Sequence, residues 1–131
     1  MLNRPRRNRK SAAIRAMVTE TRLHTDHLIH PLFLVDGRGV KEEISSLPGN
    51  YRWSLDNVLG EIEDCISVGL KTFILFPKID KTKKDKIGTY SYSKNNFYLK
   101  AASTIKQKFP EVTLISDVAL DPYSTDGHDG I

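Results

Sequence analysis

The sequence has 131 residues, which is room for one domain at most. An apolar fraction of 39% permits a core, and 27% charged residues with a net charge of +4 suits a soluble protein. No apolar run approaches the ~18 residues of a membrane span, the basic N-terminus lacks the apolar stretch of a secretory signal, and the lone Cys65 excludes an intrachain disulfide and fits a reducing, cytoplasmic setting.

Residues 1–10 read as an extended arm. Residues 11–19 predict a short helix with Ser11 as N-cap and Ile14, Met17 and Val18 on one face. Leu32-Phe33-Leu34-Val35 predicts a short buried strand, with Pro31 at its start, where the missing N–H is tolerable. Gly37, Gly39, Pro48 and Gly49 mark residues 36–53 as a loop. Ser54 then caps a helix in which Leu55, Val58, Leu59, Ile62, Cys65 and Ile66 recur at helical spacing, and Gly69 ends it. Gly60 inside that helix costs roughly 1 kcal/mol relative to Ala, which predicts a close packing contact at that point.

Thr72 to Phe76 is a continuous apolar run, as expected of a strand covered on both faces. Residues 77–94 form a lysine-rich loop. Tyr98, Ala101, Ala102, Ile105 and Phe109 predict a further helix, stopped at Pro110. Val112 to Leu120 predicts a third strand. Strands alternating with helices long enough to cross over predict an α/β fold with parallel strands and right-handed connections. The pattern by itself leaves a barrel and an open doubly wound sheet equally allowed. Neither a G-x-G-x-x-G nor a Walker A motif is present, which weakens a nucleotide-binding reading.

Charge is unevenly spread. Arg4, Arg6, Arg7, Arg9, Lys10 and Arg15 cluster in the arm, and Lys78, Lys81, Lys83, Lys84 and Lys86 form a second group. Two basic patches admit nucleic acid. The absence of interleaved aromatics in the arm argues against it, and a basic arm equally suits docking on a neighbouring subunit. The lysine-rich loop is either a solvated loop, the plainer reading, or an electropositive rim that attracts carboxylates.

The last fifteen residues carry Asp117, Asp121, Asp126, Asp129 and His128 on a strand end and the loop after it, the place where α/β folds put their sites. Each carboxylate also has a plain alternative. Asp117 can bond a loop backbone, and Asp121-Pro122, Asp126-Gly127 and Asp129-Gly130 are turn dipeptides. Phe76, at the end of the second strand, offers an apolar wall. Cys65 reads as a buried core residue, not a nucleophile. His24, His27 and His30 read as structural, because their spacing lacks matching carboxylates and a helical pattern.

Ser116-Asp117-Val118-Ala119-Leu120-Asp121-Pro122-Tyr123 through Gly127-His128-Asp129-Gly130 resembles the signature of the delta-aminolevulinic acid dehydratase (porphobilinogen synthase) family. Arg4-Pro5-Arg6-Arg7, Glu20-Thr21-Arg22-Leu23, Leu28-Ile29-His30-Pro31-Leu32-Phe33, Leu47-Pro48-Gly49-Asn50-Tyr51-Arg52 and Leu75-Phe76-Pro77 are similar to further segments of that family. The resemblance covers the whole chain, although a family chain is more than twice as long. It implies the N-terminal part of a TIM (β/α)8 barrel with an extended arm: residues 1–30 are the arm with its short helix, and 31–131 an incomplete barrel of roughly three strands.

By the same resemblance, the parent enzyme is a lyase that condenses two molecules of 5-aminolevulinate into porphobilinogen, with loss of water, in haem and tetrapyrrole biosynthesis. Asp117, Asp121 and Asp129 are then the catalytic carboxylates, and Phe76, by its place at the strand end, is expected to be a substrate-binding residue. In one branch of the family the positions of Ala119, Asp121 and Asp129 are cysteines holding zinc. Alanine and two aspartates are similar instead to the magnesium-responsive branch, so Mg2+ is the expected ion of the full-length enzyme and zinc is not expected at these positions. Asp126 departs from the family's usual histidine. The Schiff-base lysines of the family have no counterpart here, which implies that this chain is inactive alone. The family's arm wraps a neighbouring subunit, implying a homo-oligomer. A non-catalytic module that binds protein or RNA is the alternative.

Overall fold

The computed structural model of the chain describes residues 5–128. Its centre is a five-stranded sheet. In chain order the elements are α1 (Ala12–Met17), β1 (His30–Val35), β2 (Lys41–Glu43), β3 (Tyr51–Trp53), α2 (Leu55–Ser67), β4 (Thr72–Lys78), α3 (Phe97–Lys108) and β5 (Thr113–Ser116). The sheet order is β2-β3-β1-β4-β5, with β3, β1, β4 and β5 mutually parallel and β2 antiparallel on the edge. Pro31 is tolerated within β1 because β3 joins that strand only from Phe33 onward.

Alternation along the strands sorts their side chains onto two faces. Leu32 and Leu34 of β1 and Phe73 and Leu75 of β4 are buried against Val58 and Ile62 of α2 and Tyr98, Ala101 and Ile105 of α3. Each fully buried Leu, Ile or Phe contributes about 1.5–3 kcal/mol from the water it sheds. Phe33, Ile74, Phe76 and Ile115 take the other face, and they remain half-exposed. Phe33 and Phe76 are in register and stack, with ring centroids 5.6 Å apart. One face of the sheet is therefore covered by helices, and among the described residues the other is an apolar surface left partly open.

The sheet has five strands where the sequence predicts three. The two extra strands lie in the segment expected to be loop. Lys41-Glu42-Glu43 has no apolar alternation and is exposed at all three residues, so no periodicity marks it. It becomes a strand by pairing with Tyr51–Trp53, and Lys41 places its ammonium 4.7 Å from the centres of both the Tyr51 and Trp53 rings. The third predicted strand is shorter than expected. β5 ends at Ser116, the last residue paired with β4, and Asp117 turns the chain by accepting the Ala119 N–H at 3.1 Å. Asp117 is thus exposed just beyond the strand, not set within it.

Ser54 occupies the N-cap of α2 but makes no side-chain cap bond. Its hydroxyl accepts the Val40 N–H at 2.8 Å and donates to Asp56 at 2.6 Å, pinning the hairpin to the helix start. The contact expected at Gly60 is not there: among the described residues nothing lies within 4 Å of where a Cβ would stand. Gly69 ends α2 with φ +88°. Ser11 does cap α1, its Oγ accepting the Ile14 N–H, yet the predicted apolar face is not buried, Met17 being 80% exposed. Cys65, expected in the core, is half-buried at its edge.

Candidate active site

A cleft of about 620 Å3 opens where the parallel strands end. Phe33 and Phe76 form its apolar wall, Arg52, Lys78 and Lys84 bring positive charge, and Asp121 lines the other side. They come from β1, β3, β4, the basic loop and the turn after β5. Arg52 and Lys78 stand on β3 and β4, and both lean on Glu42 of the edge strand, at 3.4 and 3.6 Å. Asp121 belongs to the turn after β5, in which the Tyr123 and Ser124 N–H groups donate to the Leu120 carbonyl.

That turn is latched to the lysine-rich loop. The Asp85 N–H donates to the Tyr123 carbonyl, and the Thr125 N–H donates to the Asp85 carbonyl. Beneath it sits Asn96, fully buried. Its side-chain oxygen accepts the Tyr98 N–H and caps α3, while its amide nitrogen donates to the Ser91 carbonyl and the Tyr123 hydroxyl. One side chain therefore joins the start of a helix, the basic loop and the acidic turn. Sequence reasoning passes over Asn96, Asp85 and Tyr123. The available signal is Asn96 one residue before the helix, a strong N-cap position.

The predicted site residues do not all converge. Phe76 and Asp121 share the cleft. Asp117 and Ala119 line a different recess, of about 270 Å3, beside Tyr92, Tyr98 and Val118. Asp129 lies outside the described residues. Asp126 and His128 are exposed, and the Asp126 N–H donates to Ser124 Oγ.

Asp36, Asp80, Asp85 and Lys83 are stabilised in their ionised forms. Lys83 reaches from the basic loop to Asp36 at the end of β1, at 2.5 Å. That hydrogen bond holds the Asp36 carboxyl below its usual range and raises Lys83. Asp80 and Asp85 are lowered by the hydrogen bonds they accept from Thr82 and Thr89. Lys83 is thus the opposite of a nucleophilic lysine, whose pKa must fall. Burial raises the Cys65 thiol, with the charges of Glu61 and Asp64 adding to it, so it is no ready nucleophile either.

The comparisons with known proteins agree on one family. The family model described as delta-aminolevulinic acid dehydratase matches residues 2–131. The enzyme of that name from Chlamydia pneumoniae is 52% identical over 128 residues, which is 98% of this chain and 39% of that protein. The one from Bradyrhizobium diazoefficiens is 44% identical, over 98% of this chain and 36% of its own length. The crystal structure of the Toxoplasma gondii enzyme, in complex with its reaction product porphobilinogen, superposes with a TM-score of 0.91 at 42% identity, covering 100% of this chain and 37% of that one. The chain thus spans about two fifths of the relatives it matches, and its sheet and helices are the N-terminal part of their TIM barrel. On this match the chain belongs to the delta-aminolevulinic acid dehydratase family.

Proposed function

We propose that the protein containing this chain is a porphobilinogen synthase, condensing two molecules of 5-aminolevulinate with loss of water, and that this chain supplies one wall of its active site. The observation that carries the reading is the mixed cleft at the strand ends. 5-Aminolevulinate has a carboxylate at one end and an ammonium at the other. Arg52, Lys78 and Lys84 suit the first and Asp121 the second. Phe33 and Phe76 form the apolar wall between them, and water shut out there when the rest of the barrel covers it strengthens both attractions. Asp117, in its separate recess, and Asp129 remain candidates for moving protons once the rest of the barrel stands opposite.

The covalent chemistry belongs elsewhere in the full-length protein. A Schiff-base lysine needs a lowered pKa, and Lys83, the loop lysine bound to a carboxylate, is raised instead. We therefore read the chain by itself as inactive. A zinc site built of thiolates does not fit this loop, since Ala119 has no donor and Asp121 offers only oxygen. Stimulation by Mg2+, through ligands outside this chain, is the reading we favour. The arm supports a homo-oligomer: from residue 5 to 29 every described residue but Ile14 is exposed, including Leu23 at 76% and Ile29 at 53%. No helix of the described residues is long and apolar enough to cross a membrane; the lone cysteine supports a cytoplasmic setting.

The test is borohydride trapping of labelled 5-aminolevulinate on the full-length protein, with porphobilinogen formation measured in parallel. Both should be positive, and Asp121→Asn should reduce porphobilinogen formation by tenfold or more, in the range of a lost acid–base or ammonium-binding group. A full-length protein that forms neither adduct nor product overturns the reading.

A further inference from the structure

We propose that His30, Glu61 and Cys65 form a binding site for a borderline divalent cation, Zn2+ foremost, at the end of the sheet opposite the cleft. Their ligand atoms all lie within 4.8 Å of one another. Glu61 and Cys65 stand four residues apart on α2, so both project from the same face of the helix. His30 is the first residue of β1, the strand against which α2 packs. Its ring is set edge-on to Phe73, centroid to centroid 6.3 Å, which restrains its orientation.

Three measures favour a metal over a plain ion pair. The His30 Nε2 to Glu61 Oε1 distance is 3.5 Å, too long for a hydrogen bond of ordinary strength. Two such atoms on one tetrahedral zinc, with bonds of about 2.0–2.1 Å, stand about 3.3 Å apart. The thiolate belongs about 3.6 Å from each, so the 4.8 Å limit leaves about 1 Å to close, the scale of small rotations of the Cys65 and Glu61 side chains. The exposure of His30 and Glu61 is also intermediate, 32% and 29%. That admits an ion and leaves room for water as a fourth ligand. Lys41, a cation on the edge strand β2, is held over the Tyr51 and Trp53 rings.

The donor set selects the ion. Imidazole, carboxylate and thiolate together suit zinc. Mg2+ and Ca2+ need a shell of oxygens, and this cluster offers one carboxylate. A bound ion would clamp the start of β1 to the middle of α2, on elements rigid enough to hold its geometry. The inference goes beyond the proposed activity and does not depend on it.

Cobalt is the probe. The chain is freed of metal, checked for folding by circular dichroism, and titrated with Co2+, whose charge-transfer absorption reports thiolate coordination. Since Cys65 is the only cysteine, a thiolate band can come from no other residue. The expected result is one Co2+ per chain with that band, displaced by Zn2+. Cys65→Ser should abolish the band. Cys65→Ser and His30→Gln should each weaken Zn2+ binding tenfold or more, since even second-shell changes cost about 10–100-fold. Asp121→Asn should leave band and affinity unchanged. Uptake without a thiolate band, half an ion per chain through a cysteine shared by two copies, uptake lost in Asp121→Asn, or no uptake at all overturns the site. If the variants fail to fold, the band and stoichiometry of the unsubstituted chain decide.

Discussion

Tyr98 shows how much one buried hydroxyl constrains. It is 3% exposed and donates to the Leu75 carbonyl at 3.0 Å, tying α3 to β4. Burial, with Tyr123 adding to it, pushes its phenol up to about 12 from the ordinary 10. The unfolded phenol loses its proton near 10, so this contribution to stability is fully present below that pH and is lost as pH rises through 12, at about 1.4 kcal/mol per unit. Tyr98→Phe should cost about 1 kcal/mol at neutral pH. It should also remove the alkaline loss, so urea midpoints for the two proteins converge between pH 10 and 12. Curves that stay parallel would show that the phenol is not held neutral. The same scale separates the aspartates: Asp117, read from its neighbours as strand-borne, spends one carboxylate oxygen on its own turn.

At the scale of elements, α2 offers two opposed tests. Gly60 and Gly69 look alike in the sequence but differ in backbone and surroundings. Gly60 has open space around it and no positive φ, so Gly60→Ala should raise stability by about 0.5–1 kcal/mol. Gly69 has φ +88°, and a Cβ there would stand 3.1 Å from Thr25 Oγ1. Gly69→Ala should therefore destabilise by more than the Gly60 substitution gains. On the buried face, Ile62→Ala empties a fully enclosed position between α2 and the sheet, at an expected cost of about 2–5 kcal/mol. Thermal melts of the three variants under one condition check these signs together. The helix was readable because its apolar stripe recurs every three to four residues. The β2–β3 hairpin was not, because three charged residues become a strand only when a partner presents its edge.

At the scale of the whole molecule, the covered and uncovered faces of the sheet decide how the chain behaves. Phe33, Ile74, Phe76 and Ile115 are left half-exposed, and among the described residues β5 pairs on one side only. Contiguous apolar surface and an open strand edge both find partners. The purified chain should therefore sediment as dimers or larger species, or as a loosely packed monomer that binds hydrophobic dye. A compact, dye-negative monomer with a cooperative melt would refute this. Borohydride with labelled 5-aminolevulinate should leave the isolated chain unlabelled; stoichiometric labelling of one lysine would place a nucleophile here that its chemistry does not support.

The sequence by itself determined the family, through the run from Ser116 to Gly130, and the alternation of strand and helix, because both are properties of neighbouring residues. It also suggested Phe76 and Asp121 as site residues, and both line the cleft at the strand ends. Only the tertiary structure decided what stands across from what. Asn96 reaches Tyr123 over 27 positions, Lys83 reaches Asp36 over 47, and Glu61 comes to His30 from another element. His30 reads as structural by spacing because its carboxylate partner is distant in the chain. Packing α2 across β1 makes them neighbours, and such juxtapositions arise from sheet order and helix placement, which no local pattern of residues encodes.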